Sequence, residues 1–211
     1  MVTLYVTSSE RAAGKTALCV GLGVSLLNDG KKVGFLKPVI TDSDNPPAGY
    51  ADSDTVFIKR VFALEESVEY LCPVISNQGD LSNSLKKACA RVSKGKDVVI
   101  VEGVCGQSSG NGLNKTSFTI ARALGAKVIV IENYEQPRKA NLTNSYKDFG
   151  ENLLGVVLNK IPVNRLEQVS TEVSALLGKA GINTLAVLPE DRTLFALTVV
   201  ELAGHIQGEI L

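Results

Sequence analysis

Apolar residues along the chain fall into short unbroken runs and into longer stretches where they recur every three or four positions. The first run, Leu4-Tyr5-Val6, precedes a helical pattern from Gly14 to Asn28, with Leu18, Leu22 and Leu26 four apart and Asp29-Gly30 as a stop. Val33 to Leu36 reads as a second strand. Pro38 cannot donate to a central ladder, so that strand finishes there or lies at an edge. A helix over Val56 to Phe62 follows, with Asp52 or Ser53 as its N-cap, and Pro73-Val74-Ile75 reads as a brief extended piece. Ser82 to Lys94 predicts a helix with Leu85, Ala88 and Cys89 inward. The apolar run Val98 to Val101, between a Lys-Gly turn and Gly103, suits a strand buried on both faces. Beyond it the pattern predicts a helix at 116–124, a strand at 127–131, a helix at 138–149 and a strand at 154–158. An amphipathic helix at 166–180, with Leu166, Val169, Val173 and Leu176 inward, leads to a strand at 185–188 and a last helix at 198–205. Alternation of this kind implies an α/β fold with three layers, α/β/α, around a mostly parallel central sheet.

The junction between the first strand and first helix carries candidate chemistry. Ser9-Glu10-Arg11-Ala12-Ala13-Gly14-Lys15-Thr16-Ala17 has the strand, loop and helix order of a phosphate-binding P-loop, with Ser9 where the pattern places its first glycine. Serine is small enough for close backbone approach, though it adopts positive φ less readily than glycine. Loop N–H groups and the positive end of the new helix would hold polyphosphate, Lys15 would reach the β- and γ-phosphates, and the Thr16 hydroxyl would bind Mg²⁺.

Other polar residues stand at the carboxyl ends of separate strands, the side where open α/β sheets bind ligands. Lys37 ends the second strand, Glu102 the central run, and Asn159 the run at 154–158. Glu102 occupies the position of a Walker-B carboxylate, and a carboxylate ending a buried strand calls for a cation nearby. Asp54 reads either as a first-turn acid favoured by the helix dipole or as a Mg²⁺ ligand. Two segments rich in Gly, Ser, Asn and Pro, residues 41–51 and 104–116, are candidate ligand-facing loops on the same rim.

Composition narrows the function class. A chain of 211 residues suits one domain over 1–211, with a C-terminal helix at about 192–211. Lys and Arg total 22, as do Asp and Glu, so no global field recruits nucleic acid or an anionic membrane. No apolar run reaches membrane-spanning length and the chain opens directly on a core strand, so a cytoplasmic location is expected. The four cysteines are scattered, and Cys19 and Cys89 fall on apolar helical faces. His205 is the one histidine, which argues against a Ser-His-Asp hydrolase and a histidine-based metal centre.

The segments V-T-S-S-E-R-A-A-G-K-T, F-L-K-P-V, D-S-D-T, V-I-V-E-G-V-C-G, G-V-V-L-N-K-I-P and L-A-V-L-P-E-D, in that order, resemble the dethiobiotin synthetase-like branch of P-loop NTPases. That branch also includes cobyrinic acid a,c-diamide synthase and the N-terminal domain of phosphotransacetylase. The resemblance implies an ATP and Mg²⁺ site in a P-loop NTPase-type fold. Lys15 and Lys37 would be the catalytic lysines, and Thr16, Asp54 and Glu102 would hold Mg²⁺. Asn159 would contact adenine, with the loop from Ser9 to Ala17 around the phosphates. It also implies a homodimer and attack of a small carboxylate or carbamate on the γ-phosphate, giving a mixed anhydride.

Departures from dethiobiotin synthetase lie on the substrate side. Arg11 and Ala12 replace its usual Thr and Glu, and Glu102-Gly103-Val104-Cys105-Gly106 replaces E-G-A-G-G. Arg11 is a permanent cation suited to an anionic partner or the γ-phosphate, or else a solvent-facing loop residue. The tail, from Pro189 to Leu211, is most like that of the phosphotransacetylase-linked type, where such a helix precedes a further domain. Two expectations follow: a ligase-type enzyme acting on a small carboxylate, or a regulatory nucleotide sensor linked to an acyltransferase-type domain.

Overall fold

The computed structural model describes residues 1–42, 52–103, 113, 115–134 and 146–191. Among the described residues there are eight strands: β1 (Val2–Thr7), β2 (Val33–Leu36), β3 (Val39–Thr41), β4 (Val74–Ser76), β5 (Val98–Glu102), β6 (Lys127–Asn133), β7 (Leu153–Ile161) and β8 (Thr184–Pro189). The helices are α1 (Lys15–Asn28), α2 (Ser53–Val61), α3 (Val68–Leu71), α4 (Leu81–Val92), α5 (Lys115–Leu124) and α6 (Leu166–Lys179). Six strands form one sheet in the order β2-β5-β1-β6-β7-β8, and every pairing in it is parallel. The expected α/β architecture is therefore present, with helices flanking a parallel sheet.

β1, β5 and β6 form the middle of the sheet, and their apolar runs are buried: Tyr5 and Val6, Val99 to Val101, and Val128 to Ile131. Each such side chain contributes about 1.5–3 kcal/mol on leaving water, so these three strands carry much of the core. β2 lies at an edge and ends before Pro38, which satisfies both constraints the proline imposes. Phe35 on β2 meets Phe62 edge-to-face, with ring centroids 6.5 Å apart.

Several details differ from the sequence pattern. Val39–Thr41 and Val74–Ser76 pair in parallel as a separate two-stranded sheet, β3-β4, and residues 68–71 form a short helix. β4 matches the extended piece expected at Pro73-Val74-Ile75, whereas β3, its pairing with β4 and the helix at 68–71 are too short for hydrophobic periodicity to reveal. The face of α1 buried most deeply carries Lys15, Cys19 and Gly23, with Leu18, Leu22 and Leu26 packed at its flank. On α6 the buried positions are Val169, Val173 and Leu177, while Leu176 is exposed: one helical turn beyond Val173 is Leu177, which corrects the expected register. Cys19, Cys72 and Cys89 are buried free thiols. Of the expected loops at 41–51 and 104–116, Thr41 ends β3 and Lys115 opens α5, while residues 43–51, 104–112 and 114 lie outside the described residues, as do most of the helix at 138–149, the helix at 198–205 and His205.

Candidate functional site

The chain leaves β1 at Thr7 and enters α1 at Lys15 through a loop whose last residue, Gly14, has φ 99°. An L-residue there would be strained, and a Cβ would lie 2.4 Å from Asn159 Nδ2. Ala12 also takes the left-handed conformation, at φ 53°. The loop's carbonyls face its neighbours: Asn159 Nδ2 donates to Ala13 O at 2.9 Å and Lys160 Nζ to Ala12 O at 2.6 Å. Both residues come from the carboxyl end of β7. A tight loop opening directly on a helix N-terminus is the kind of element that receives anions.

Lys15 is buried, and its ammonium donates to Ser8 Oγ at 2.9 Å. The Thr16 hydroxyl donates to Glu102 Oε1 at 2.8 Å and lies 3.3 Å from Asp54 Oδ2. Lys37 Nζ donates to Asp54 Oδ2 at 2.8 Å and Asp52 Oδ1 at 3.0 Å, and stands 3.6 Å from Glu102 Oε1. Lys15, Thr16, Lys37, Asp54 and Glu102, drawn from four separate segments, thus form one cluster at the carboxyl ends of β1, β2 and β5. Gly103 permits the arrangement, since a Cβ there would lie 2.8 Å from Tyr5 Oη and from Val6 O.

Electrostatics bind the cluster. Burial pushes the Glu102 carboxyl up from its ordinary range, with the nearby charge of Lys37 and the Thr16 hydroxyl opposing that rise. Glu102 is 3% exposed, and its Oε2 has no hydrogen-bond partner among the described residues. A buried carboxylate left this way is penalised by several kcal/mol. Burial alone would lower the Lys37 ammonium, but Glu102, Asp54 and Asp52 together raise it above its usual value. Asp52 is held low despite its burial, by Lys37 and by Thr55.

The donor set fits a hard divalent cation. The Thr16 hydroxyl, Asp54 and Glu102 supply oxygen, and the orphaned Glu102 Oε2 is an anionic acceptor with nothing to accept. Among the described residues no three His, Cys, Asp or Glu side chains form a closed ligand group. An open set of this kind matches Mg²⁺, which keeps several positions for water and phosphate oxygens.

The remaining sequence candidates divide. Arg11, Ala12 and Ala17 are exposed, Ala13 is buried, and Ser9 and Glu10 are half-buried. Glu10 faces β6, where its Oε1 accepts from Asn133 N at 2.9 Å. Asn159 is packed on the loop, its Nδ2 committed to Ala13. The sequence pattern points to Asp52 as a cap but not to its pairing with Lys37, and it gives no contact for Glu132 or Lys160. Asp52 both caps α2, accepting from Thr55 N at 2.9 Å, and pairs with Lys37. Glu132 and Lys160 grip the loop from β6 and β7, and only their strand-end positions hinted at it.

A family model described as an AAA domain matches residues 2–198. The chain belongs to that AAA domain family. Within it, the domain is a P-loop NTPase related to dethiobiotin synthetases and to phosphotransacetylase N-terminal domains. It is similar to the phosphate acetyltransferase of Haemophilus influenzae, 27% identical over 99% of this chain and 34% of that protein. It also resembles an ATP-dependent dethiobiotin synthetase of Salmonella typhi, 28% identical over 50% of this chain and 49% of that one. The chain thus spans about a third of the length of the phosphate acetyltransferases it matches (34% and 32%). Among solved structures, it shares its fold with a nucleotide-binding protein of Archaeoglobus fulgidus in complex with ADP, at 18% identity and TM-score 0.56 over 92% of this chain and 84% of that one. The MinD cell division protein of Aquifex aeolicus is similar at 15% identity and TM-score 0.54, over 92% and 85%. Among the described residues no helix is long and apolar enough to cross a membrane.

Proposed function

We propose that this domain binds Mg-ATP and activates a small carboxylate or carbamate by phosphoryl transfer. The observation that carries the reading is the meeting of Thr16, Asp54 and Glu102, with Glu102 Oε2 buried and unpaired. The loop amides, Lys15 and the α1 N-terminus would bind the phosphates. Mg²⁺, held by Thr16, Asp54 and Glu102, would supply charge neutralisation at the β- and γ-phosphate oxygens.

Lys37 fits the transferring phosphoryl group. In the resting domain its ammonium is paired with Asp52 and Asp54, within reach of the cation ligands. As the substrate oxygen bonds to the γ-phosphorus and the bridging P–O bond breaks, negative charge grows on the equatorial oxygens and the leaving ADP. Lys15 and Lys37 are the cations available to meet that charge. A nitrogen nucleophile would then open the mixed anhydride and release phosphate. We further propose a homodimer, from the resemblance to dethiobiotin synthetases.

A second reading has its own support. The match to phosphate acetyltransferases covers 99% of this chain, whereas that to the Salmonella typhi dethiobiotin synthetase covers 50%. On this reading the domain senses nucleotide for a fused or partner acyltransferase-type domain, without turnover of its own. Phosphate release from ATP, assayed with small carboxylates plus bicarbonate or an amine donor, separates the two. Carboxylate-dependent release supports the enzyme; Mg²⁺-dependent ATP binding with no release under any addition supports the sensor.

A further inference from the structure

Glu132 is 5% exposed and is not among the residues assigned to nucleotide or cation above. It stands at the carboxyl end of β6, beside the phosphate-binding loop. Its Oε1 accepts from Ser9 N at 3.2 Å and its Oε2 from Ser9 Oγ at 2.5 Å, so both donors of one loop residue end on one carboxyl group. Tyr146 Oη, itself buried, donates to Oε1 at 3.0 Å. The next residue on the strand reciprocates: Asn133 N donates to Glu10 Oε1 at 2.9 Å. Consecutive residues of β6 thereby hold consecutive residues of the loop, while Asn159 and Lys160 of β7 hold Ala13 and Ala12.

We propose that Glu132 is a positioning residue of the phosphate-binding loop, acting through Ser9, and that its ionisation tunes the loop's affinity for anions. Ser9 replaces the glycine of the usual pattern, and a serine adds the hydroxyl that this grip uses. The charge beside the loop is the second half of the device. An ionised Glu132 adds a buried negative charge next to a site built for polyphosphate; a protonated one keeps the grip and removes the charge. The groups facing it are Ser9 and Glu10 from the loop and Tyr146 from the segment after β6, and Glu10 is the charged one among them. Burial first, and the Glu10 carboxylate in addition, push Glu132 up to about 7 against the pull of Ser9 and Tyr146. The change of charge therefore falls near neutrality.

The inference rests on nucleotide binding at this loop, and the test keeps the two apart. Mg²⁺-free ADP is titrated into the wild type, Glu132→Gln and Ser9→Ala at pH 6 and at pH 8.5. Glutamine keeps an acceptor for Ser9 N and a partner for Ser9 Oγ but cannot ionise. The nucleotide's own ionisation is common to all three proteins and cancels in the ratio. Expected is a fall in wild-type affinity between the two pH values about fivefold larger than in Glu132→Gln, a coupling of ordinary size. Ser9→Ala, which removes only the hydroxyl that Glu132 holds, is expected to weaken binding at both pH values, and the Ser9→Ala, Glu132→Gln double variant, titrated in the same way, to be no weaker than Ser9→Ala alone. Equal pH ratios in wild type and Glu132→Gln, together with unchanged affinity in Ser9→Ala, overturn the positioning role while leaving nucleotide binding intact. Absence of ADP binding in the wild type at both pH values removes the nucleotide site and this role with it.

Discussion

Asn159 and Gly14 are in mutual contact: a Cβ on Gly14 would sit 2.4 Å from Asn159 Nδ2, which already donates to Ala13 O at 2.9 Å. The amide thus closes the back of the phosphate-binding loop over a residue that has no side chain. Gly14→Ala is expected to displace Asn159 and to strain a backbone at φ 99°, destabilising the domain by about 1–3 kcal/mol. Asn159→Ala, which only frees a carbonyl, should be milder, at about 1 kcal/mol. Chemical denaturation of both variants checks the order.

Lys15 lies buried with its ammonium on Ser8 Oγ, ready to exchange that hydroxyl for a phosphate oxygen. Lys15→Ala should weaken ATP binding by about a hundredfold, or 2–3 kcal/mol, as expected for loss of a charge-assisted contact. Its melting transition should stay close to wild type, because the variant leaves no buried ammonium behind. Unchanged ATP affinity in a normally folded variant would remove the phosphate role.

For Lys37 the prediction concerns turnover. Asp54 is largely exposed, so its resting pair with Lys37 contributes little, about 0–1 kcal/mol, and the more buried Asp52 keeps its two bonds from Thr55 when Lys37 is replaced. Lys37→Met should leave the fold and most ATP affinity in place while lowering any phosphoryl transfer by about two orders of magnitude or more. A single-turnover assay reads the difference, and equal loss of binding and turnover would assign Lys37 to ground-state binding alone.

Glu132 makes the stability of the free domain depend on pH. Its carboxyl is raised from 4.5 to about 7 in the folded domain, so the folded state binds the extra proton between those values. Stability from this group is fully present below about pH 4.5 and is lost as pH rises to about 7, by up to about 3 kcal/mol. Glu132→Gln should remove that slope, which melting curves from pH 5 to pH 8 would show. An identical slope in the variant would place the titration elsewhere.

The sheet was legible in the sequence because its strands are buried on both faces and read as unbroken apolar runs; Val98 to Val101 is the clearest case. The P-loop and the rim positions of Lys37, Glu102 and Asn159 were legible for a related reason, since strand ends set their side of the sheet. What escaped depends on tertiary contact. Glu132 follows an apolar run just as Glu102 does, yet pattern could not say that it faces Ser9. Asp52 could be read as a cap, but not as a partner for a lysine 15 residues earlier. Leu176 and Leu177 lie three and four residues beyond Val173 and are both apolar, so spacing alone could not choose between them, and Leu177 takes the buried place.

The measurement that tests the Mg-ATP site most directly is calorimetric titration of ATP into the wild type and Glu102→Gln, with and without Mg²⁺. The buried, unpaired Glu102 Oε2 predicts that Mg²⁺ strengthens ATP binding to the wild type by tenfold or more and that the variant loses this gain while keeping its Mg²⁺-free affinity. Equal gains from Mg²⁺ in the two proteins, or none in the wild type, would contradict the account.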